Sequence, residues 1–289
     1  MQYHDNSYLS SERSSVKEDA DINPPSVSIS TILKAGMLVK PSVQNKVNLT
    51  LEQFSVQNRE WEIFKADDFV VDTKYFSSGA FRNAFKAKSF KPKQQTWVLK
   101  TYKSDAIKVM EDNMKTSVEN HARKQVQMHS AAVQIANEFK KHAPGSFGEC
   151  FKYNRVFYTK YLDKPATIEE FVPGSFSKYV NNNGLCCSPP QGCTSYVKEM
   201  YEKAQCLVHF SYLHSDQKFM LLDIQGSFYQ LYDPEIATVD MRNTNSDNAE
   251  IYFCCGNLST IAINKFLEEH TCNAYCKSMK LKSVGGSSH

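Results

Sequence analysis

No run of apolar residues in this 289-residue chain approaches the length that crosses a bilayer. The first residues, Met1-Gln2-Tyr3-His4-Asp5, are polar and lack the pattern of a secretory leader. Net charge is also small: at +3 it argues for neither nucleic acid nor a membrane surface as partner. No internal repeat is visible, and no double Cys-x-x-Cys, the strongest zinc spacing, is present. These absences lead us to expect a cytoplasmic or nuclear chain, where thiols stay reduced. Nine cysteines in that setting are better explained by metal and free thiols than by disulfides. A hydrophobic fraction of 41% over this length suits one large domain or a two-lobed one with a proper core.

Residues 1–55 are rich in Ser, Asn and charge, carry Pro24-Pro25, and read as a disordered tail, with order beginning near Trp61. Strands are expected at Phe69-Val70-Val71, Phe81 to Ala87 and Thr96 to Lys100. From Asp105 to His142 the apolar spacing turns helical. Further strands follow at Val156 to Tyr158 and Thr167-Ile168. Residues 183–196 form a Gly/Pro-bearing loop. Tyr196 to Phe210 reads as a helix, Phe219 to Ile224 as a strand, and Ile261 to Glu268 as a short helix. The predicted class is α+β, in a two-lobed body. Residues 284–289 are expected to form a flexible end.

Two constellations carry chemistry. Near the end, His270, Cys272 and Cys276 place three soft metal ligands within seven residues. Cys272 and Cys276 at i, i+4 share a face if that turn is helical, and structural zinc needs a fourth ligand, for which His209 is the candidate. Read from spacing alone, ordinary buried thiols beside a surface histidine are an equal alternative. Upstream, Leu221-Leu222-Asp223-Ile224-Gln225-Gly226 ends an apolar strand on a carboxylate and an amide, and Asp233-Pro234 follows. Strand alternation predicts that Asp223 and Gln225 share one side and Ile224 faces the core, with Gly226 letting the chain turn away. Magnesium takes hard oxygen ligands and commonly only one or two from the protein, so Asp223, Gln225 and Asp233 fit it. Taken singly, each aspartate is better explained as a turn or cap residue. Lys100 ends the apolar run Trp97-Val98-Leu99, as a phosphate-pairing lysine does. The small-residue turn from Phe76 to Ala84 offers backbone NH groups and Arg82 to phosphate oxygens. Together these point to a phosphotransferase.

The ordered set resembles the alpha-kinases, the atypical protein kinases that include myosin heavy chain kinase and elongation factor 2 kinase. The resemblance rests on Phe76-x-x-Gly79-x-x-Arg82-x-Ala84, Val98-Leu99-Lys100, Ile168-Glu169-Glu170-Phe171 and Gly174 to Asn181. It continues through His209, Asp223-Ile224-Gln225-Gly226, Asp233-Pro234, Gly256-Asn257-Leu258 and His270-x-Cys272-Asn273-x-x-Cys276. Order and spacing agree over residues 60–282, whereas a His-Arg-Asp loop and an Asp-Phe-Gly motif are missing.

The resemblance implies a catalytic domain over 56–283, with an N-lobe at about 60–168, a C-lobe at about 169–283 and a nucleotide cleft between them. It implies ATP, magnesium and structural zinc as the bound groups, and transfer of the γ-phosphate to Ser or Thr of a protein. Lys100 would hold the α- and β-phosphates, with Gly79, Ala80, Phe81 and Arg82 covering them. Glu169, Glu170 and Phe171 would line the hinge against adenine, and Lys178 would support the phosphate end. Asp223 would be the catalytic acid group, with Gln225 and Asp233 on magnesium. His209, His270, Cys272 and Cys276 would hold zinc, and Gly256, Asn257 and Leu258 would form a substrate loop. One departure concerns that loop: glycines usual at its ends are replaced by Cys254 and Ser259. A pseudokinase scaffold that binds nucleotide without transfer is the competing reading. The substrate, the oligomeric state and the role of the Cys186-Cys187-Ser188-Pro189-Pro190 loop are not implied.

Overall fold

The computed structural model describes residues 28–38, 46–90, 94–240, 252–253 and 256–284. Residues 1–43 form a unit of their own, in which helix α1 (Ile29–Leu38) exposes Ile29, Ile32 and Leu33. Everything considered below lies in the second unit, residues 44–289.

That unit begins with strand β1 (Lys46–Ser55), which overturns the expectation of a tail reaching residue 55. Leu49 and Leu51 are buried and alternate with the polar Asn48, Thr50 and Glu52, so one face turns to the core and the other does not. The polar alternates hid the strand in a Ser/Asn-rich composition. β1 pairs antiparallel with β2 (Glu60–Val71). There follow β3 (Ser77–Ser78), β4 (Arg82–Ser89), β5 (Gln95–Tyr102), and the helices α2 (Ser104–Asp112) and α3 (Val118–His142). After β6 (Lys152–Tyr153) come β7 (Val156–Tyr161) and β8 (Lys164–Glu170). The main sheet runs β2-β1-β7-β8-β5-β4-β3, and β2 also pairs with β4, so the sheet curls back on itself. Leu49, Leu51, Phe69, Trp97, Leu99, Phe157 and Ile168 fill its interior.

The helix expected over 105–142 is two helices. The chain breaks after Asp112 and restarts where the Ser117 hydroxyl accepts the Asn120 N–H at 3.1 Å. Glu119 in the first turn and Lys140, Lys141 and His142 in the last suit the helix dipole.

The second half holds β9 (Ser177–Val180), α4 (Ser195–His214), β10 (Phe219–Leu222), β11 (Ile224–Ser227), β12 (Gln230–Leu231), β13 (Glu235–Thr238), α5 (Ser259–Glu269) and α6 (Ala274–Ser278). A four-stranded sheet β6-β12-β11-β9 and the pair β10-β13 pack with the helices over a second core that includes Phe139, Phe151, Tyr179, Leu207, Leu222, Ile224 and Phe266. Helix α3 gives Val126 to a small cluster under Tyr158 and Phe139 to this second core, so it spans the two halves. Two cores with mixed helix and sheet make the fold α+β, as predicted. Among the described residues, no helix is long and apolar enough to cross a membrane.

Candidate active site

A cleft of about 560 Å³ is lined from Phe76, Gly79 and Lys100 of the first half to Asp223, Asp233 and Gly256 of the second. Antiparallel pairing sets Lys100 of β5 opposite Thr167 of β8 and Ala84 of β4, which fixes its stem on an interior strand. Its side chain is nearly buried, and Nζ lies 3.0 Å from Glu169 Oε1 and 3.0 Å from Asp233 Oδ1. Arg82 Nη2 reaches the same Asp233 oxygen at 3.1 Å. Two cations from different strands therefore converge on one carboxylate oxygen. Burial opposes ionisation of Asp233, but Lys100 and Arg82 outweigh it and hold the carboxyl below the usual range.

The expected strand Phe219–Ile224 is interrupted at Asp223, whose φ of +53° lies in the left-handed region. Aspartate tolerates that conformation better than most residues, and the break turns its carboxyl toward the cleft. Lys178 Nζ of β9 stands 2.7 Å from Asp223 Oδ1. Gln225 Nε2 donates to Asp223 Oδ2 at 3.0 Å and to the Asp233 backbone oxygen at 3.1 Å. Asp223 and Gln225 do meet, through this irregularity rather than by regular alternation. Burial pushes the Asp223 carboxyl up, and the Lys178 ion pair works against that rise. Gly226 does not turn the chain away as expected. It sits inside β11, where a Cβ would fall 2.1 Å from the Gln230 backbone oxygen of β12.

Most of the other predicted residues line the same cleft. Glu169 lines the cleft, and its carboxylate pairs with Lys100. Glu170 and Phe171 line it too, and the Glu170 carboxylate pairs with Arg155 at 2.6 Å. Gly79, Ala80, Phe81 and Arg82 all line the cleft as a turn closed by the Gly79 N–H donating to Arg82 O at 2.9 Å. Gly256 and Leu258 line it too, whereas Asn257 is buried behind them. The Asn257 amide oxygen accepts the N–H groups of Thr238 and Ser259, both at 3.0 Å, and Nδ2 donates to Thr238 Oγ1 at 2.7 Å. Asn257 is the staple of its loop. Ser259 has a φ of +50°, the conformation in which glycine costs least, and its hydroxyl donates to Val239 O at 3.1 Å. Cys254 lies outside the described residues, as do 1–27, 39–45 and 285–289.

Glu235 was missed by sequence reasoning. It lies two residues after Asp233, lines the cleft and occupies the space a Gly256 side chain would need: a Cβ there would sit 2.3 Å from Glu235 Cδ. Burial, with Asp233 and Asp223 adding to it, pushes its carboxyl up to about 8. Its place directly after Asp233-Pro234 was the available signal.

Across the second core, His209 Nδ1 lies 3.2 Å from His270 Nε2 and 3.8 Å from Cys272 Sγ, and Cys276 Sγ lies 3.6 Å from His270 Nε2. All four ligand atoms fall within 4.8 Å of one another. A tetrahedron with zinc's bond lengths has edges of about 3.3–3.8 Å, so one such ion fits the set. His209 Nε2 is occupied by Lys282 O at 2.9 Å and His270 Nδ1 by Gln205 Oε1 at 3.4 Å, which turns the other nitrogen of each ring inward. Cys272 precedes helix α6 rather than sharing it with Cys276. The Asn273 side chain accepts the N–H groups of Tyr275 and Cys276 and makes the bend between them. A hydrogen bond from the neighbouring Cys206, with others to His209 and His270, holds the Cys276 thiol low.

Residues 77–276 match the model of the alpha-kinase family. The chain is 25% identical over 193 residues to human transient receptor potential cation channel subfamily M member 6, covering 66% of this chain and 9% of that protein. It is 32% identical over 116 residues to myosin heavy chain kinase B of Dictyostelium discoideum, covering 40% and 13%. The chain thus spans only a small part of these longer relatives. The alpha-kinase domain of myosin heavy chain kinase A in complex with AMP-PNP superposes with a TM-score of 0.66 at 22% identity, over 85% of this chain and 99% of that one. Its complex with ADP superposes at 0.64 and 22% identity, over 84% and 99%. These likenesses establish the fold, and the match over 77–276 establishes the family: the chain belongs to the alpha-kinases.

Proposed function

We propose that the chain is a protein serine/threonine kinase that binds ATP in this cleft and passes its γ-phosphate to a Ser or Thr hydroxyl. The convergence of Lys100 and Arg82 on one point, facing the Lys178–Asp223 pair, carries this reading. Phosphoryl transfer asks for in-line positioning and neutralisation of charge more than for covalent chemistry. Lys100 and Arg82 draw the phosphates to the upper wall, and the turn from Gly79 to Arg82 offers them backbone N–H groups. Asp223 accepts a hydrogen bond from the acceptor hydroxyl and orients it. Its burial raises its affinity for the proton, while Lys178 works against that rise and holds the carboxylate in place. Magnesium, when bound, supplies further neutralisation of the phosphate oxygens, and Asp233 with the Gln225 amide oxygen would hold it.

We assign zinc to the cluster of His209, His270, Cys272 and Cys276, where it would tie the segment after α5 to helix α4. The complete set of charges favours a working enzyme over a nucleotide-binding scaffold. Incubation with labelled ATP and magnesium, beside a generic basic protein, tests the reading. Acid-stable label on serine or threonine is expected. ATP binding without any incorporation would establish the scaffold instead.

A further inference from the structure

In ordinary protein kinases a helix reports its position through an ion pair to the phosphate-binding lysine. Here Lys100 pairs with Glu169 of strand β8 and with Asp233, neither of them on a helix. Helix α3 nevertheless lies along the same cleft, and His121 and Gln125 line it one turn apart. The His121 ring is buried and lies under the Phe81 ring, with centroids 5.9 Å apart and planes 28° from parallel. His121 Nδ1 is 2.8 Å from the Tyr102 hydroxyl, which anchors the ring to the end of β5. Gln125 Oε1 accepts from Arg82 Nη2 at 3.2 Å. One further turn along, His129 Nε2 meets Asn154 O at 2.7 Å, and Asn154 Nδ2 donates to the Glu170 backbone oxygen at 2.8 Å. A single stripe, His121–Gln125–His129, thus touches the phosphate-covering turn at one end and the strand bordering the cleft at the other. The turn is also held from the opposite side, where Lys103 N–H donates to Phe81 O at 3.0 Å and Lys103 Nζ reaches Gly79 O at 2.5 Å.

We propose that α3 is the positioning helix of this active site: His121, through Phe81, and Gln125, through Arg82, hold the Gly79–Arg82 turn in its phosphate-covering place. Neither residue touches the reacting atoms. This rests on the kinase reading above. A helix acting in this way affects ligands that carry phosphates and leaves the nucleoside alone, which a general packing role would not do.

The experiment measures affinity of the full chain for ATP and, separately, for adenosine, in the unaltered protein and in His121→Ala, His121→Phe and Gln125→Leu. ATP binding is expected to weaken about tenfold in His121→Ala and Gln125→Leu, with adenosine binding within about twofold of the original. His121→Phe, which keeps a ring beneath Phe81 but loses the bond to Tyr102, should fall between. The half-buried Gln125 keeps the test valid if the His121 variants fold poorly. Equal loss of both ligands, or no loss of ATP, would overturn the proposal. Failure of the unaltered chain to bind ATP would overturn the kinase reading itself, a result distinguishable from either.

Discussion

Lys178 Nζ stands 2.7 Å from one oxygen of Asp223 while Gln225 Nε2 holds the other at 3.0 Å. The carboxylate is thus fixed from β9 and β11 at a point where its own backbone leaves the strand conformation.

Removing that cation by Lys178→Ala leaves a largely buried carboxyl without its ion pair. The Asp223 carboxyl should then rise further, because burial is no longer opposed. The acid limb of the pH–rate profile should move to higher pH, and kcat should fall by about ten- to a hundredfold. An unmoved acid limb would show that Lys178 does not tune Asp223.

The zinc assignment predicts one equivalent of metal by elemental analysis. Metal-binding energy at such a site is folding energy, so Cys272→Ala should lower Tm by about 10 °C and reduce solubility. A chain free of zinc whose melting curve is unchanged in Cys272→Ala would contradict it.

Gly226 is needed for closeness of approach. Gly226→Ala forces a methyl against the Gln230 and Leu231 backbone and should cost on the order of 3 kcal/mol, read by denaturant unfolding. Gly145→Ala, with nothing within 4 Å of the added carbon, serves as the control and should be near neutral. Equal stability of the two variants would refute the close approach.

His121 and His129 are both pushed down to about 4, first by burial, with Arg82 and Lys124 adding to the shift at His121 and Lys100 at His129. The folded protein refuses protons that the unfolded chain takes up near 6.5, so their contribution to stability is full above that pH. It is lost progressively as pH falls from about 6.5 to about 4. NMR titration of the eight histidines should find these two still neutral at pH 5.5. Ordinary titration of either would contradict the packing around α3.

Much of this site was legible because its chemistry is carried by residue type and order. Lys100 lies in the apolar strand read for it, two residues before its end. Asp223 and Gln225 come together in the cleft although the strand breaks at Asp223, and His270, Cys272 and Cys276 cluster although only Cys276 is helical. What escaped depended on long-range closeness. β1 was hidden because its polar alternates matched the composition of the segment before it, and only pairing with β2 gives that strand its meaning. The pairing of Glu169 with Lys100 needed the β5–β8 register, which the sequence does not display. The partners of the Asn257 amide, Thr238 and Ser259, were likewise set by the loop's own fold. Helix α3 showed its apolar spacing but not the polar stripe that reaches Phe81 and Arg82, which lie some forty residues earlier in the chain.

The most direct test of the account measures, in the same preparations, ATP binding and phosphate transfer by the unaltered chain, Asp223→Ala and Lys100→Ala. The account predicts that Asp223→Ala still folds and binds ATP but transfers no phosphate, whereas Lys100→Ala loses transfer together with most of its ATP affinity. Transfer that survives undiminished in Asp223→Ala would contradict it.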